Sequence, residues 1–282
     1  MKIHQSAAFL RAYHLLPHRL LNQACARLMT AKTPAFAVQA AIRWWIRSAG
    51  IDMSDFASVP YQSIEAFFLR ELQTGARPIA EGIVCPVDGE VFATGTIAAD
   101  SRLSVKGQVL SLSRLVNGQG HSASLSEYEG GCYVAIFLSP RGYHHIHAPV
   151  AAELVRRQWI PGRYFPQNAV ALRHIPAVYE RNERAALFWQ TSKEQGAQRL
   201  ITVLVGASMV GGIELEELPQ SAWQTAHGTD CSRWYEKGQR FAHFRFGSTV
   251  VVLFSQGMVE RLLVKVGDAV LMGQRLAEPS AR

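Results

Sequence analysis

Arg240-Phe241-Ala242-His243-Phe244-Arg245-Phe246-Gly247-Ser248-Thr249-Val250-Val251-Val252-Leu253-Phe254-Ser255 sets two runs rich in β-branched and aromatic residues, Arg240–Phe246 and Thr249–Ser255, on either side of a Gly-Ser pair. Runs of this kind, bounded by small or turn-forming residues, read as strands. The same texture recurs in Val84–Val87, Glu90–Ile97, Cys132–Ser139, Leu187–Gln190, Leu200–Gly206 and Leu262–Val266, separated by Gly, Pro, Asn or Asp. Upstream the period changes. Leu20, Leu21, Ala24, Cys25 and Leu28 recur at three-to-four spacing, and a second segment runs from Phe36 to Ala49 with Pro34 near its start and Gly50 at its end. Both are helix signals. Ile64–Leu72 reads as a third helix. The expected fold class is α+β: N-terminal amphipathic helices within residues 1–58, then a mainly antiparallel or mixed β body over residues 59–282.

Charge separates the same two regions. The chain of 282 residues carries 29 Lys and Arg against 22 Asp and Glu, a net +7. Seven cations and no acidic residue fall in residues 1–50, so the rest is balanced at 22 of each sign. That asymmetry argues against a nucleic-acid binder and for a neutral domain with a basic, apolar front end facing an anionic surface. Phe36, Trp44, Trp45 and Ile46 beside Arg43 and Arg47 suit an interfacial helix at lipid headgroups, although ordinary core-facing packing gives the same pattern. The longest uncharged stretches, Leu200–Ile213 and Phe246–Val259, have 14 residues each, short of the roughly 20 a spanning helix needs. The N-terminus lacks an uninterrupted apolar segment followed by a small-residue cleavage site, so export is not expected. Cys25, Cys85, Cys132 and Cys231 lie far apart, as reduced cytoplasmic thiols do.

Three places could carry chemistry. Pro86-Val87-Asp88-Gly89 puts a carboxylate in what is first of all a turn signal. Tyr143-His144-His145-Ile146-His147-Ala148-Pro149 holds three of the chain's ten histidines. If it is extended, His145 and His147 share one face and His144 takes the other. A metal between His145 and His147 needs further ligands, and His174, His227 and His243 arrive at no metal-site spacing. General acid–base work is the more economical reading, since imidazole titrates near ~6.5. At Gly247-Ser248, the glycine leaves its carbonyl unshielded by a Cβ, so the Ser248 hydroxyl could attack it if a base took its proton. Packing or a bulge is the plainer account of such a pair. Gly-x-Ser-x-Gly is absent, which disfavours an ordinary serine hydrolase. Gly267, Val270, Gly273 and Gln274 resemble the turn-strand-turn of biotinyl and lipoyl carriers, but no Lys stands at the attachment point.

In order along the chain, these pieces resemble the phosphatidylserine decarboxylases, pyruvoyl-dependent lyases. The resemblance runs from about residue 60 to 276. It covers Phe67-Phe68-x-Arg70, Arg77-Pro78-Ile79, Pro86-x-Asp88-Gly89 and Leu138-Ser139-Pro140-Arg141-x-Tyr143-His144-x-x-His147-x-Pro149. It continues through Pro161-Gly162, Phe165, Asn182-Glu183-Arg184, Val205-Gly206-Ala207, Val210-Gly211, Lys237-Gly238 and Phe244 leading to Gly247-Ser248-Thr249. Phe246 stands where the family usually has Leu, and His145 where many relatives have Arg; His145 inherits no role.

The resemblance implies self-cleavage between Gly247 and Ser248 into a long chain 1–247 and a short chain 248–282 that stay associated. Asp88 would orient and charge-stabilise His147, and His147 would deprotonate Ser248. Ser248 would become a pyruvoyl group, the only cofactor, with no metal. It would form a Schiff base with phosphatidylserine, release carbon dioxide and leave phosphatidylethanolamine, with His144 returning the proton to carbon. The implied partners are phosphatidylserine, an anionic membrane surface and a second protomer in a homodimer; the implied place is the cytoplasmic face of the inner membrane, held peripherally. An inactive lipid-surface module keeping the fold is the alternative.

Overall fold

The computed structural model describes residues 24–25, 27–105, 107–117, 125–167, 169–207, 212–216, 218, 228–245 and 249–281. Its helices are α1 (Ala35–Ala49), α2 (Ile64–Phe68), α3 (Leu112–Asn117), α4 (Ala169–His174) and α5 (Val178–Arg181). The strands are β1 (Ile83–Val84), β2 (Gly89–Thr96), β3 (Arg102–Val105), β4 (Gln108–Ser111), β5 (Cys132–Phe137), β6 (His145–His147), β7 (Ala152–Ile160) and β8 (Arg184–Gln190). They continue as β9 (Arg199–Val205), β10 (Ile213–Leu215), β11 (Thr229–Tyr235), β12 (Arg240–Phe244), β13 (Thr249–Phe254), β14 (Val259–Leu262), β15 (Ala269–Val270) and β16 (Arg275–Pro279). The α+β class holds, and the ladders between named strands are antiparallel.

An eight-stranded sheet in the order β11-β7-β8-β9-β13-β5-β2-β15 forms the body. Its central strand, β13, is apolar from Val250 to Phe254 because both of its faces are covered. Val250, Val252 and Phe254 join a core with Val91, Ile136, Leu204 and Phe244. Val251 and Leu253 join an opposite core with Phe92, Tyr133, Ile201 and Tyr179. Alternation along each strand sends successive residues to opposite faces, so two-sided burial removes the usual apolar–polar pattern. Two small sheets, β10-β12-β6 and β1-β16-β14, close over the first core.

The front end is docked by one helix face. α1 buries Val38 and Ile42, and Trp45 packs edge-on to Phe67 (5.5 Å) and stacked on Phe68 (6.2 Å). Gly50 ends α1 in the left-handed region at φ 60°, which favours Gly. The outer face exposes Phe36, Trp44, Arg43 and Arg47. No helix among the described residues is long and apolar enough to cross a membrane. The expected helix over residues 20–31 lies partly outside the described residues; 24–25 and 27–30 are helical.

Three expected boundaries shift. α2 stops at Phe68, short of Leu72, because residues 70–73 pair with residues 55–57 through Ala57 N–H to Glu71 O (2.9 Å) and Gln73 N–H to Asp55 O (2.8 Å). β1 ends at Val84 because Cys85–Asp88 turns, the Cys85 thiol reaching the Val87 carbonyl at 3.1 Å. β14 lies at Val259–Leu262, before the expected run, because Asp268 Oδ2 accepts the Lys265 N–H at 2.9 Å and makes the following segment a turn.

Candidate active site

Glu90 of β2 and Thr249 of β13 both stand opposite Phe137 of β5. β2 and β13 therefore begin at the same end of the large sheet, on either side of β5 and about 10 Å apart at the usual spacing of ~4.8 Å. Gly89 is required at this crossing. A Cβ there would meet the Phe137 carbonyl oxygen at 2.5 Å and Ile136 Cγ2 at 2.7 Å. β6 approaches the same corner: His147 N–H donates to Pro86 O at 2.9 Å. β6 also pairs with β12, with His145 opposite His243 and His147 opposite Arg240. Phe244 N–H donates to the His144 carbonyl at 3.1 Å. The histidine strand is thus bonded to the strand that leads into Gly247-Ser248.

Gly247 and Ser248, with Phe246, lie outside the described residues. On one side, Arg245 N–H bonds to Gly212 O at 3.1 Å. On the other, buried Thr249 donates through Oγ1 to Gln167 Oε1 at 2.6 Å, and Gln167 Nε2 donates to Gly206 O at 3.0 Å. Asn182 bridges the same loop, donating to Phe165 O and Gly206 O at 2.9 Å each. These bonds hold the first described residue after Ser248 in one place.

His147 is 7 % exposed. Its Nδ1 lies 2.7 Å from the Gly238 carbonyl oxygen, which can only accept, so Nδ1 carries the proton. Nε2 is then the lone-pair nitrogen and accepts from the Tyr143 hydroxyl at 3.0 Å. Burial, partly offset by the Gly238 bond, holds the imidazole below its ordinary value. His147 is therefore a neutral base with a defined basic atom.

The expected orienting bond from Asp88 to His147 is replaced. Asp88 is 7 % exposed, and its carboxylate takes Arg77 Nε at 3.1 and 3.2 Å, Arg77 Nη2 at 2.7 Å and the Met272 N–H at 2.7 Å. Gly238 fixes the tautomer instead; Asp88 acts on His147 through space, raising its proton affinity. Gly238 has φ 79°, and a Cβ would press on Ile79 Cδ1 at 2.6 Å, so glycine is what lets this carbonyl turn toward the ring.

His144 is fully buried. Its Nδ1 donates to Gly142 O at 3.0 Å, and its ring lies on Phe68 with centroids 3.8 Å apart. Burial, with Arg70 nearby, holds it well below the ordinary value and therefore neutral. Its Nε2 is a buried lone pair with no hydrogen-bond partner among the described residues. Arg70 explains its own place in the Phe67-Phe68-x-Arg70 motif: it donates to Phe67 O at 3.2 Å, to Arg141 O, and to Gly142 O at 2.7 Å. It thereby fixes the loop that launches His144.

His145 and His147 share a face as expected, with Tyr143 between them (ring centroids 5.0 and 5.6 Å). They do not form a shared metal site, because both His147 nitrogens are taken; the neighbour of His145 is His243. Arg77, Tyr143, Gln167 and Gly238 are the site residues sequence reasoning left without a role. Arg77, Tyr143 and Gly238 stand inside the quoted motifs, which was the available signal; nothing local marks Gln167.

The family model for phosphatidylserine decarboxylase matches residues 64–278. A phosphatidylserine decarboxylase proenzyme of Marinobacter nauticus is 34% identical over 266 residues, 89% of this chain and 90% of the relative. One of Pseudomonas putida is 33% identical over 290 residues, 98% and 99% of the two chains. One of Brevibacillus brevis is 34% identical over 287 residues, 95% and 99%. With a matching family model over most of its length and relatives aligned nearly end to end, the chain belongs to the phosphatidylserine decarboxylase family.

Proposed function

We propose that the chain cleaves itself between Gly247 and Ser248 and then decarboxylates phosphatidylserine to phosphatidylethanolamine. The observation that supports this is the approach of three described segments: Asp88 before β2, the histidine strand β6 paired with β12, and the start of β13 at Thr249. His147 Nε2 is the base we assign to Ser248, whose oxygen would add to the Gly247 carbonyl to give the ester that precedes chain scission. The pyruvoyl group made from Ser248 supplies the carbonyl that takes the lipid amine and the electron sink for loss of carbon dioxide. The described residues fit it, since Thr249, next in the chain, is buried and pinned, and His144 has a lone pair without a partner among the described residues. His144 Nε2, neutral before substrate arrives, would accept a proton from the substrate ammonium and return it to the α-carbon.

The short chain, 248–282, would stay in place through β13, which has six residue pairs with β5 and six with β9, and through β15 and β16, which pair with β2 and β1. Residues 1–58 would bring the site to an anionic bilayer on the cytoplasmic face of the inner membrane. Phe36 (77 % exposed) and Trp44 (71 %) lie beside exposed Arg43 and Arg47 in support. Intact-mass analysis of purified protein tests the reading, together with conversion of phosphatidylserine in liposomes. Two chains split at 247/248, with the short one blocked at its N-terminus, are expected; Ser248→Ala should remain one chain. A wild-type protein that stays intact and carries an unmodified Ser248 overturns it and favours a lipid-surface module without catalysis.

A further inference from the structure

We propose that His145, His243 and Glu216 form a binding site for a divalent transition-metal ion, zinc by its ligand chemistry, that clips β6, β12 and the end of β10 together. It is distinct from the decarboxylation chemistry. The three-stranded sheet makes the site: Glu214 stands opposite His243, and His243 opposite His145, in one row across β10, β12 and β6. Glu216, two residues beyond Glu214, reaches the same row. One ligand atom from each of His145, Glu216 and His243 lies within 4.8 Å of the others, and the two imidazole centroids are 5.6 Å apart.

The hydrogen bonds leave one ligand atom free and put a displaceable proton on the second. His145 Nε2 faces the Leu69 carbonyl at 3.1 Å and must carry the proton. Nδ1 is then a lone pair on a residue only 4 % exposed, has no hydrogen-bond partner among the described residues, and lies 3.9 Å from Glu216 Oε1. A buried lone pair pointed at a carboxylate oxygen is repelled unless a proton or a cation stands between them. His243 stands between two carboxylates: Nε2 is 3.3 Å from Glu214 Oε2, and Nδ1 hydrogen-bonds Glu216 Oε1 at 3.2 Å, so a metal ion at Nδ1 takes the place of that proton. Each ring thus has its far nitrogen on a carbonyl or carboxylate, the outer support that metal-bound histidines use. Its Nδ1 is left turned toward Glu216.

Charge points the same way. Arg240 bridges Glu71 (2.7 Å) and Glu216 (3.2 Å), and Arg245 bridges Glu65 (3.4 Å) and Glu214 (2.7 Å). Four carboxylates share two guanidiniums, which leaves a negative surplus that a proton on His243 or a bound cation offsets. Two imidazoles and one carboxylate suit zinc better than magnesium, which prefers oxygen. Glu216 is partly exposed, which gives a route in and a place for a water ligand. Binding requires the ligand atoms to draw in, since a tetrahedral zinc with bonds of about 2.0–2.1 Å sets them roughly 3.4 Å apart.

The test is zinc stoichiometry of the untagged full-length protein, equilibrated with Zn²⁺ and desalted, read by elemental mass spectrometry beside a thermal shift with Zn²⁺ or Mg²⁺. Wild type should keep about one zinc per chain and melt higher with Zn²⁺ but not with Mg²⁺. Glu216→Gln and His145→Gln should each lower retained zinc at least tenfold and remove the shift, whereas Cys25→Ser/Cys231→Ser should retain both. A wild type that keeps no zinc, or variants that keep it, overturns the site, and the wild-type measurement decides even if a variant fails to fold. None of these readouts needs decarboxylation, so failure here is separate from failure of the proposed function.

Discussion

Replacing Arg77 by Met strips Asp88 of its Arg77 contacts and leaves the carboxylate with the Met272 N–H alone. The two side chains are 6 % and 9 % exposed, so Asp88 would be a buried charge without its partner. Breaking a buried pair from one side costs about 3–5 kcal/mol. The other partner of Arg77, Asp55 at 2.7 Å, has a side chain 49 % exposed and adds at most about 1 kcal/mol. The expected loss is a large share of the roughly 5–15 kcal/mol that holds a typical domain together. Urea unfolding of Arg77→Met should be measured in the Ser248→Ala background, so that chain scission does not alter the unfolding reaction. With a slope of about 3 kcal/mol per molar urea, the midpoint should fall by about 1 M or more. Arg77→Met with Asp88→Asn should recover at least half of that loss, because the buried charge is gone. A single variant losing less than about 1 kcal/mol, or a double variant no better than the single, would refute the reasoning. Because Met272 lies beyond residue 248, the same contact bears on how the short chain is held after cleavage.

Other consequences are sharper in direction than in size. Gly89→Ala drives a methyl into the Phe137 carbonyl and should cost about 1–3 kcal/mol or more, read as a lowered melting temperature. Arg43→Glu with Arg47→Glu should weaken binding to anionic liposomes by about 2 kcal/mol per reversal at low salt, twice the ~1 kcal/mol assigned to one basic residue; self-cleavage should proceed, and joint loss would make the helix structural. Cys85, whose thiol burial pushes up to about 12, should resist Ellman's reagent at pH 8 until the protein unfolds; rapid native labelling would contradict its burial. In the proposed cleavage His147 is the neutral base, and burial holds its folded value below ordinary histidine. In chelator-treated protein, the self-cleavage rate should therefore be flat above about pH 6.5 and fall only in more acid solution; a midpoint above ~6.5 would contradict this.

The strands most legible in the sequence are those buried on both faces. β13 and β9 are unbroken apolar runs whose ends were placed within a residue. β7 was missed because Glu153, Arg156 and Arg157 interrupt Ala152–Ile160, although its ladder to β8 has seven residue pairs. β11 was missed for the same reason: it is an edge strand with alternating exposure through Thr229-Asp230-Cys231-Ser232-Arg233. In the site, the motif order pointed to Asp88 and the histidines, but no spacing in sequence could show where their hydrogen bonds go. The partner of His147 is 91 residues away and is a backbone carbonyl, a group that every residue has.

That carbonyl changes how the Asp88–His147 pair works. A carboxylate on Nδ1 would fix the same tautomer, since neither a carboxylate nor a carbonyl can donate, but it would also strongly stabilise the protonated ring. Gly238 fixes the tautomer with a neutral dipole, while Asp88 has its charge largely spent on Arg77 and adds only a field at a distance. The result is a base that is ready at neutral pH and holds its captured proton weakly. Such a base suits a proton that must be passed on promptly, as when an ester formed at Ser248 has to break down by elimination. The Tyr143 hydroxyl, 3.0 Å from Nε2, lies on the only nitrogen able to pass it. Burial raises that phenol well above its ordinary value, so Tyr143 stays protonated and holds the lone pair until its bond opens to admit the Ser248 hydroxyl. The corner is therefore organised by backbone and neutral donors around one basic atom, and the buried Asp88 carboxylate beside it ties β2 to Arg77 by an ion pair and to the β15 turn through the Met272 N–H.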